Sequence, residues 1–117
     1  MLNFKKFFFI LIILFLNFSN LLSFDANDLI KLKETNKCEN CNLSKANLKG
    51  LNLTDAKLTG TSFKSANLNG VILKNADISF SDFSEAKLYI ANLTYANIEG
   101  SNFFKARLNS AILKETI

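Results

Sequence analysis

The sequence contains no His, no Pro and no Trp, and its one Arg is Arg107. Without His, neither a Ser-His-Asp triad nor a Cys-His pair can form, and a zinc site built on imidazole is excluded. Lys residues are spread along the chain, so no basic segment marks a nucleic-acid-binding protein, and no nucleic acid is expected as a partner. Cysteine is limited to Cys38 and Cys41, half of what a four-thiolate zinc site needs. No carboxylate pair stands apart for acid-base work: Asp77 and Asp82 occupy outward positions and read as solvated groups. At 117 residues the chain is one domain at most.

A long apolar run is missing as well. Phe7 to Leu16 is ten residues without a polar side chain, short of the roughly 20 that a spanning helix needs. Lys5 and Lys6 precede it, no acid does, and Asn17, Ser19, Asn20 and Ser23 follow. A basic start, a short apolar stretch and a polar end predict a secretory signal peptide over residues 1–24. Its junction is weakly written: Ser23 with Leu21 before it, or Ser19 with Asn17, is not an A-x-A pattern. The expected location is periplasmic or secreted. The alternative is anchoring at the inner membrane by an uncleaved leader, which would be the only membrane contact. Beyond residue 24 remain 12 basic and 10 acidic side chains, a formal charge of +2.

From Cys41 onward the sequence repeats every five residues. Centres at Leu43, Leu48, Leu53, Leu58 and Phe63, and on to Leu113, are all large and apolar. The slot two residues earlier is mostly small, and every Ala after residue 40 lies in it. A five-residue period is not helical, because the apolar direction would precess around a 3.6-residue turn. The two slots are two apart, so both side chains point the same way, as on a short strand. The other three residues must turn a corner, and the chain winds into a coil with its centres inside.

A second period sets the number of sides. Phe63, Phe83 and Phe103 are the only aromatic centres, and they are twenty apart. Thr61, Ser81 and Ser101 replace Ala in the same pentads. Leu51 and Val71, and Gly50 and Gly70, keep the same spacing. Four pentads per turn stack like on like, whereas a fifteen-residue turn explains none of these coincidences.

Ala46-Asn47-Leu48-Lys49-Gly50, Ala66-Asn67-Leu68-Asn69-Gly70 and Ala91-Asn92-Leu93-Thr94-Tyr95 make the chain resemble the pentapeptide-repeat proteins. The resemblance implies an all-β fold: a right-handed quadrilateral β-helix, here of nearly four coils over residues 41–117. Lys57, Lys87 and Arg107 depart from the Asn or Asp of the pattern, and Ile72 and Ile112 place apolar groups at that outward slot. Residues 25–40 are expected to form an N-terminal cap: a short helix from an Asp28 N-cap to Thr35, with Leu29, Ile30 and Leu32 over the first coil. The last coil, with Phe103, Leu108 and Leu113, is expected to be open, the alternative being that the terminal residues fold over it. Phe104, Ile112 and Ile117 add apolar surface there, and a tail-to-tail homodimer is expected.

Cys38 and Cys41 form a C-x-x-C. After export, a disulfide pinning the cap to the first coil is expected, with redox or metal chemistry as the alternative. Asn42, Asn52 and Asn92 begin N-x-S/T triplets that the pentad generates automatically. Outward Phe80, Tyr89, Ile90, Tyr95 and Phe104 are the candidate interaction surface. The chain therefore reads as a noncatalytic exported module without a cofactor, either a scaffold or a binder of an unknown protein. Some members of the family resemble duplex DNA and bind DNA gyrase, a role that needs a longer and strongly negative rod.

Overall fold

The computed structural model describes residues 3–19 and 23–117, with side chains for 3–12 and 23–117. Helix α1, Phe4–Ser19, contains the apolar run of the expected leader. Leu21, and with it part of the expected junction, lies outside the described residues. Among the described residues, no helix is long and apolar enough to cross a membrane.

Helix α2, Ala26–Thr35, begins three residues before the expected start. Its N-cap is Asp25, whose carboxylate accepts the Asn27 amide at 2.8 Å, leaving Asp28 in the first turn. The physical reason is tertiary. Asp28 is used by the first coil, where its carboxylate accepts the Asn42 amide at 2.8 Å. The Asp25 amide donates to the Asn42 carbonyl at 2.9 Å, so the start of α2 is stitched to the coil edge. Leu32 is buried and Leu29 packs partly against the core, whereas Ile30 faces solvent. Asn36 ends the helix in the left-handed region, with φ 57°, and its amide reaches the Leu32 carbonyl.

Beyond Asn36 the chain is a coil of corners. Parallel bridges join each outward residue to the one twenty further on, along four ladders. The first face carries Asn42, Ser62, Asp82 and Asn102, and the second Asn47, Asn67, Lys87 and Arg107. Asn52, Ile72, Asn92 and Ile112 form the third, and Lys37, Lys57, Asp77 and Asn97 the fourth. Lys37 already belongs to a ladder, so the coil begins one pentad before Cys41 and Cys38 occupies a centre slot. Among the described residues each face pairs through isolated bridges, without a continuous strand. Three extended residues are followed at once by a corner, too soon for a run of ladder pairs.

The corners explain the other slots of the pentad. The Ala46 amide closes on the Leu43 carbonyl at 3.1 Å, and the pattern recurs along the coil. The third residue of each such turn has positive φ, from Asn40 at 55° to Glu115 at 53°, as type II turns require. Outward Asn and Asp side chains accept the amide two residues on, as in Asn92 to Thr94 at 3.0 Å and Asp77 to Ser79 at 3.2 Å. This is the reason for Asn and Asp at that position: a short side chain satisfies an amide that the corner leaves free. Lys87 cannot do so, and the Tyr89 amide donates instead to Asn69 Oδ1 at 3.0 Å.

Inside, Phe63, Phe83 and Phe103 stack with ring centroids 4.7 and 4.9 Å apart. Beside them the hydroxyls form a chain. Ser81 Oγ accepts the Thr61 amide and donates to the Leu58 carbonyl at 2.9 Å. Ser101 Oγ repeats this with the Ser81 amide and the Ile78 carbonyl, and Thr61 Oγ1 donates to the Cys38 carbonyl. The hydroxyls of this column are therefore tolerated among the core side chains because each donates to a backbone carbonyl, and Ser81 and Ser101 also accept an amide. At the far end Phe103 and Leu108 are half-buried and Leu113 is exposed. Ile117 continues the fourth face through the Ala96 carbonyl and the Ile98 amide, and does not fold across the end.

Candidate interaction surface

The five outward apolar residues singled out from the sequence fall into two groups. Tyr89 and Ile90 form the corner before Asn92, and Tyr95 belongs to the corner after it, so these three flank the third face. Phe80 precedes the first face and Phe104 follows it one coil later, on the opposite side. A single surface containing all five does not exist.

The third face gains two residues in exchange. Ile72 and Ile112 bracket Asn92 on its ladder, one coil to either side, and both are exposed. Ile72, Tyr89, Ile90, Tyr95 and Ile112 thus surround Asn92. Stepping by twenty from Asn92 shows this in the sequence, but a list of outward residues does not.

Two of these residues sit where the backbone resists them. Ile90 has φ 53° and Tyr95 φ 58°, in the left-handed region. That region disfavours Cβ, and a β-branched side chain most of all. The equivalent corners of the column that holds Ile90 carry Gly50, Gly70 and Ser110, with φ of 70°, 67° and 59°. Half of the Ile90 side chain is nevertheless in water, at 54% exposure.

Cys38 and Cys41 are joined by a disulfide. Because Cys38 is a centre-slot residue, the bond spans a corner within the first coil and does not link cap to coil as the sequence suggested. The cap reaches it by contact: Cys38 Sγ lies 3.2 Å from the Asp28 carbonyl, without a hydrogen bond, since a disulfide sulfur has no proton. A ligand oxygen of Asp28 and both sulfurs lie within 4.8 Å of one another. Both cysteines are buried, which limits the access of an external thiol to the bond.

A coil of five-residue sides on four ladders defines a solenoid built of pentads. The family model described as pentapeptide repeats matches in eight copies within residues 37–117, and the chain belongs to that family. A pentapeptide repeat protein from the Arabidopsis thaliana thylakoid lumen superposes with a TM-score of 0.67 at 27% identity, covering 70% of this chain. One from Nostoc superposes with a TM-score of 0.68 at 28% identity, covering 77% of this chain. The match spans 58% of the Arabidopsis protein and 75% of the Nostoc protein. These likenesses give the coil its hand, that of a right-handed β-helix. No curated protein matches the sequence.

Proposed function

We propose that the chain is an exported, noncatalytic module that binds a protein partner through the third face of its β-helix. The observation that carries this reading is Ile90: an exposed β-branched side chain held at φ 53°. A side chain in this region costs on the order of 1–2 kcal/mol, and folding recovers little of it from a group left in water. Every corner holds its third residue at positive φ, but among the described non-glycine residues there Ile90 alone is β-branched, and strain beyond what the turn requires is retained where a partner uses the residue. Ile72, Tyr89, Tyr95 and Ile112 supply the surrounding apolar area. Export is supported by the basic, apolar and polar order of residues 1–24, and the lumenal location of the Arabidopsis protein is compatible with it. The disulfide is assigned a structural role at the first coil.

The test is crosslinking capture from the exported fraction with wild type and with Tyr89→Ala/Ile90→Ser. A partner retained by wild type and lost by the variant, at unchanged secondary structure, supports the reading. Equal capture by both removes it.

A second reading rests on the far end of the coil, where Phe103 and Leu108 are half-buried and Leu113 is 46% exposed. Tail-to-tail pairing of two copies would bury these groups. Light scattering at tens of micromolar decides it, a monomer removing the dimer.

A further inference from the structure

The fold sorts charge in a way that the linear sequence hides. Lys45, Lys49, Lys64, Lys87, Lys105 and Arg107 all lie on the second face or on the two corners that border it. All six are exposed, and Glu85 is the only acid among them. The fourth face and its corners, on the opposite side, hold four basic and five acidic residues. The first and third faces add only Asp82 between them. A module of nearly balanced charge therefore has one strongly cationic side. Among the described residues none of these six forms an ion pair, the single ion pair being Lys114 with Glu115.

The cationic side also has an apolar edge. Phe104 is 65% exposed at the corner that it shares with Lys105, whose Nζ lies 5.2 Å from the centre of the Phe104 ring. Lys87 and Arg107 are bridged neighbours on the face itself. A planar array of long cationic side chains bordered by a projecting aromatic ring suits a flat anionic partner with an apolar interior. Charge draws the face to the headgroups, and the ring enters the boundary below them.

We propose that the second face docks on an anionic lipid bilayer, with Lys45, Lys64, Lys87, Lys105 and Arg107 among the headgroups and Phe104 inserted at the edge. The third face does not take part in this contact, so the two surfaces can fail independently in experiment.

The test is sedimentation of the full chain with phosphatidylglycerol–phosphatidylcholine vesicles, and with phosphatidylcholine vesicles as the baseline that α1 alone sets. Lys87→Glu/Arg107→Glu is compared with Lys57→Glu/Lys74→Glu, which changes net charge equally on the opposite side. The first pair is expected to lower partitioning to anionic vesicles about tenfold or more, while the second stays within about threefold. Phe104→Ala is expected to weaken anionic binding further, and the wild-type preference to fall between about 0.05 and 0.5 M salt. Should the glutamate pair not fold, Lys87→Gln/Arg107→Gln carries the same comparison with a smaller loss. Equal losses from the two faces, no preference for anionic vesicles, or tighter binding to duplex DNA or polyglutamate at equal charge concentration would each overturn the proposal.

Discussion

The Phe80 ring occupies the space that Gly100 leaves open on the next coil. A Cβ at Gly100 would stand 2.5 Å from Phe80 Cδ1, and Gly100 has φ 64°. Both reasons oppose a side chain there. Gly100→Ala is expected to destabilise by about 1–2 kcal/mol in chemical denaturation. Phe80→Ala in the same chain should recover the part due to the ring and leave the part due to φ. Additive effects of the two substitutions would show that the ring moves aside freely.

Ile90 makes a prediction of the opposite sign. Ile90→Gly removes the Cβ from φ 53°, and the gain from relieved strain exceeds the small entropic loss. Stability is expected to rise by roughly 0.5–1 kcal/mol while partner capture falls. A loss of stability would mean that Ile90 belongs to the scaffold rather than to the binding surface.

Phe83 has an aromatic neighbour on both sides, Phe63 at 4.7 Å and Phe103 at 4.9 Å. Phe83→Ala is expected to cost about 3–5 kcal/mol, and Phe103→Ala less, because Phe103 is already half-buried. Thermal melts of the two variants give the ordering directly.

The interior is legible in the sequence, and what is not legible depends on contacts between coils. The Phe stack and the hydroxyl column of Thr61, Ser81 and Ser101 were readable because each repeats at twenty residues with its chemistry intact. Cys38 is not legible as a centre because Cys is not the large aliphatic residue that marks the slot. The Asp25 cap is not legible because Asp28 is an equally good local signal, and only the engagement of the Asp28 carboxylate by the Asn42 amide tells them apart. Phe80 and Phe104 are as outward along the chain as Tyr89, and only their position around the coil separates them. Interior residues repeat and announce themselves, whereas surface neighbours are twenty residues apart with no chemical likeness to link them.

Reduction of the disulfide opens only a four-residue link, Cys38 to Cys41. Chain entropy for so short a loop is about 2 kcal/mol. Cys38→Ser/Cys41→Ser is expected to lower Tm by an amount that matches this, with partner capture unchanged. Loss of capture at preserved secondary structure would move the function to the cysteine corner.

The Ser79 hydroxyl, donating to Asp77 at 2.7 Å, holds the Asp77 carboxyl below the usual carboxylate range, with the Ser79 amide and Lys57 adding smaller effects in the same direction. A carboxyl with a lowered folded-state pKa stabilises the fold above its unfolded-state value, and loses that contribution as pH falls through the folded value. Wild type is therefore expected to lose more stability than Asp77→Asn when acidified below about pH 4, near the ordinary aspartate pKa. Parallel Tm curves for the two chains would rule the contribution out.

The twenty-residue step between bridged partners also governs how the molecule comes together. Hydrogen bonds between coils join residues nineteen or twenty-one apart, as in Leu43 to Ser62 and Asn67 to Ala46. No pentad can be stable before a whole circuit has closed, so the entropy of loop closure must be met before any face is paired. After that, each further pentad docks on an edge already in place, and growth proceeds without another closure of that size. The region around α2, where Asp25, Asp28 and Asn42 tie the first circuit to the helix, is the natural place for that event. Stopped-flow refolding should show one slow nucleation step, and substitutions near Asn42 should slow it more than equally destabilising substitutions near Arg107.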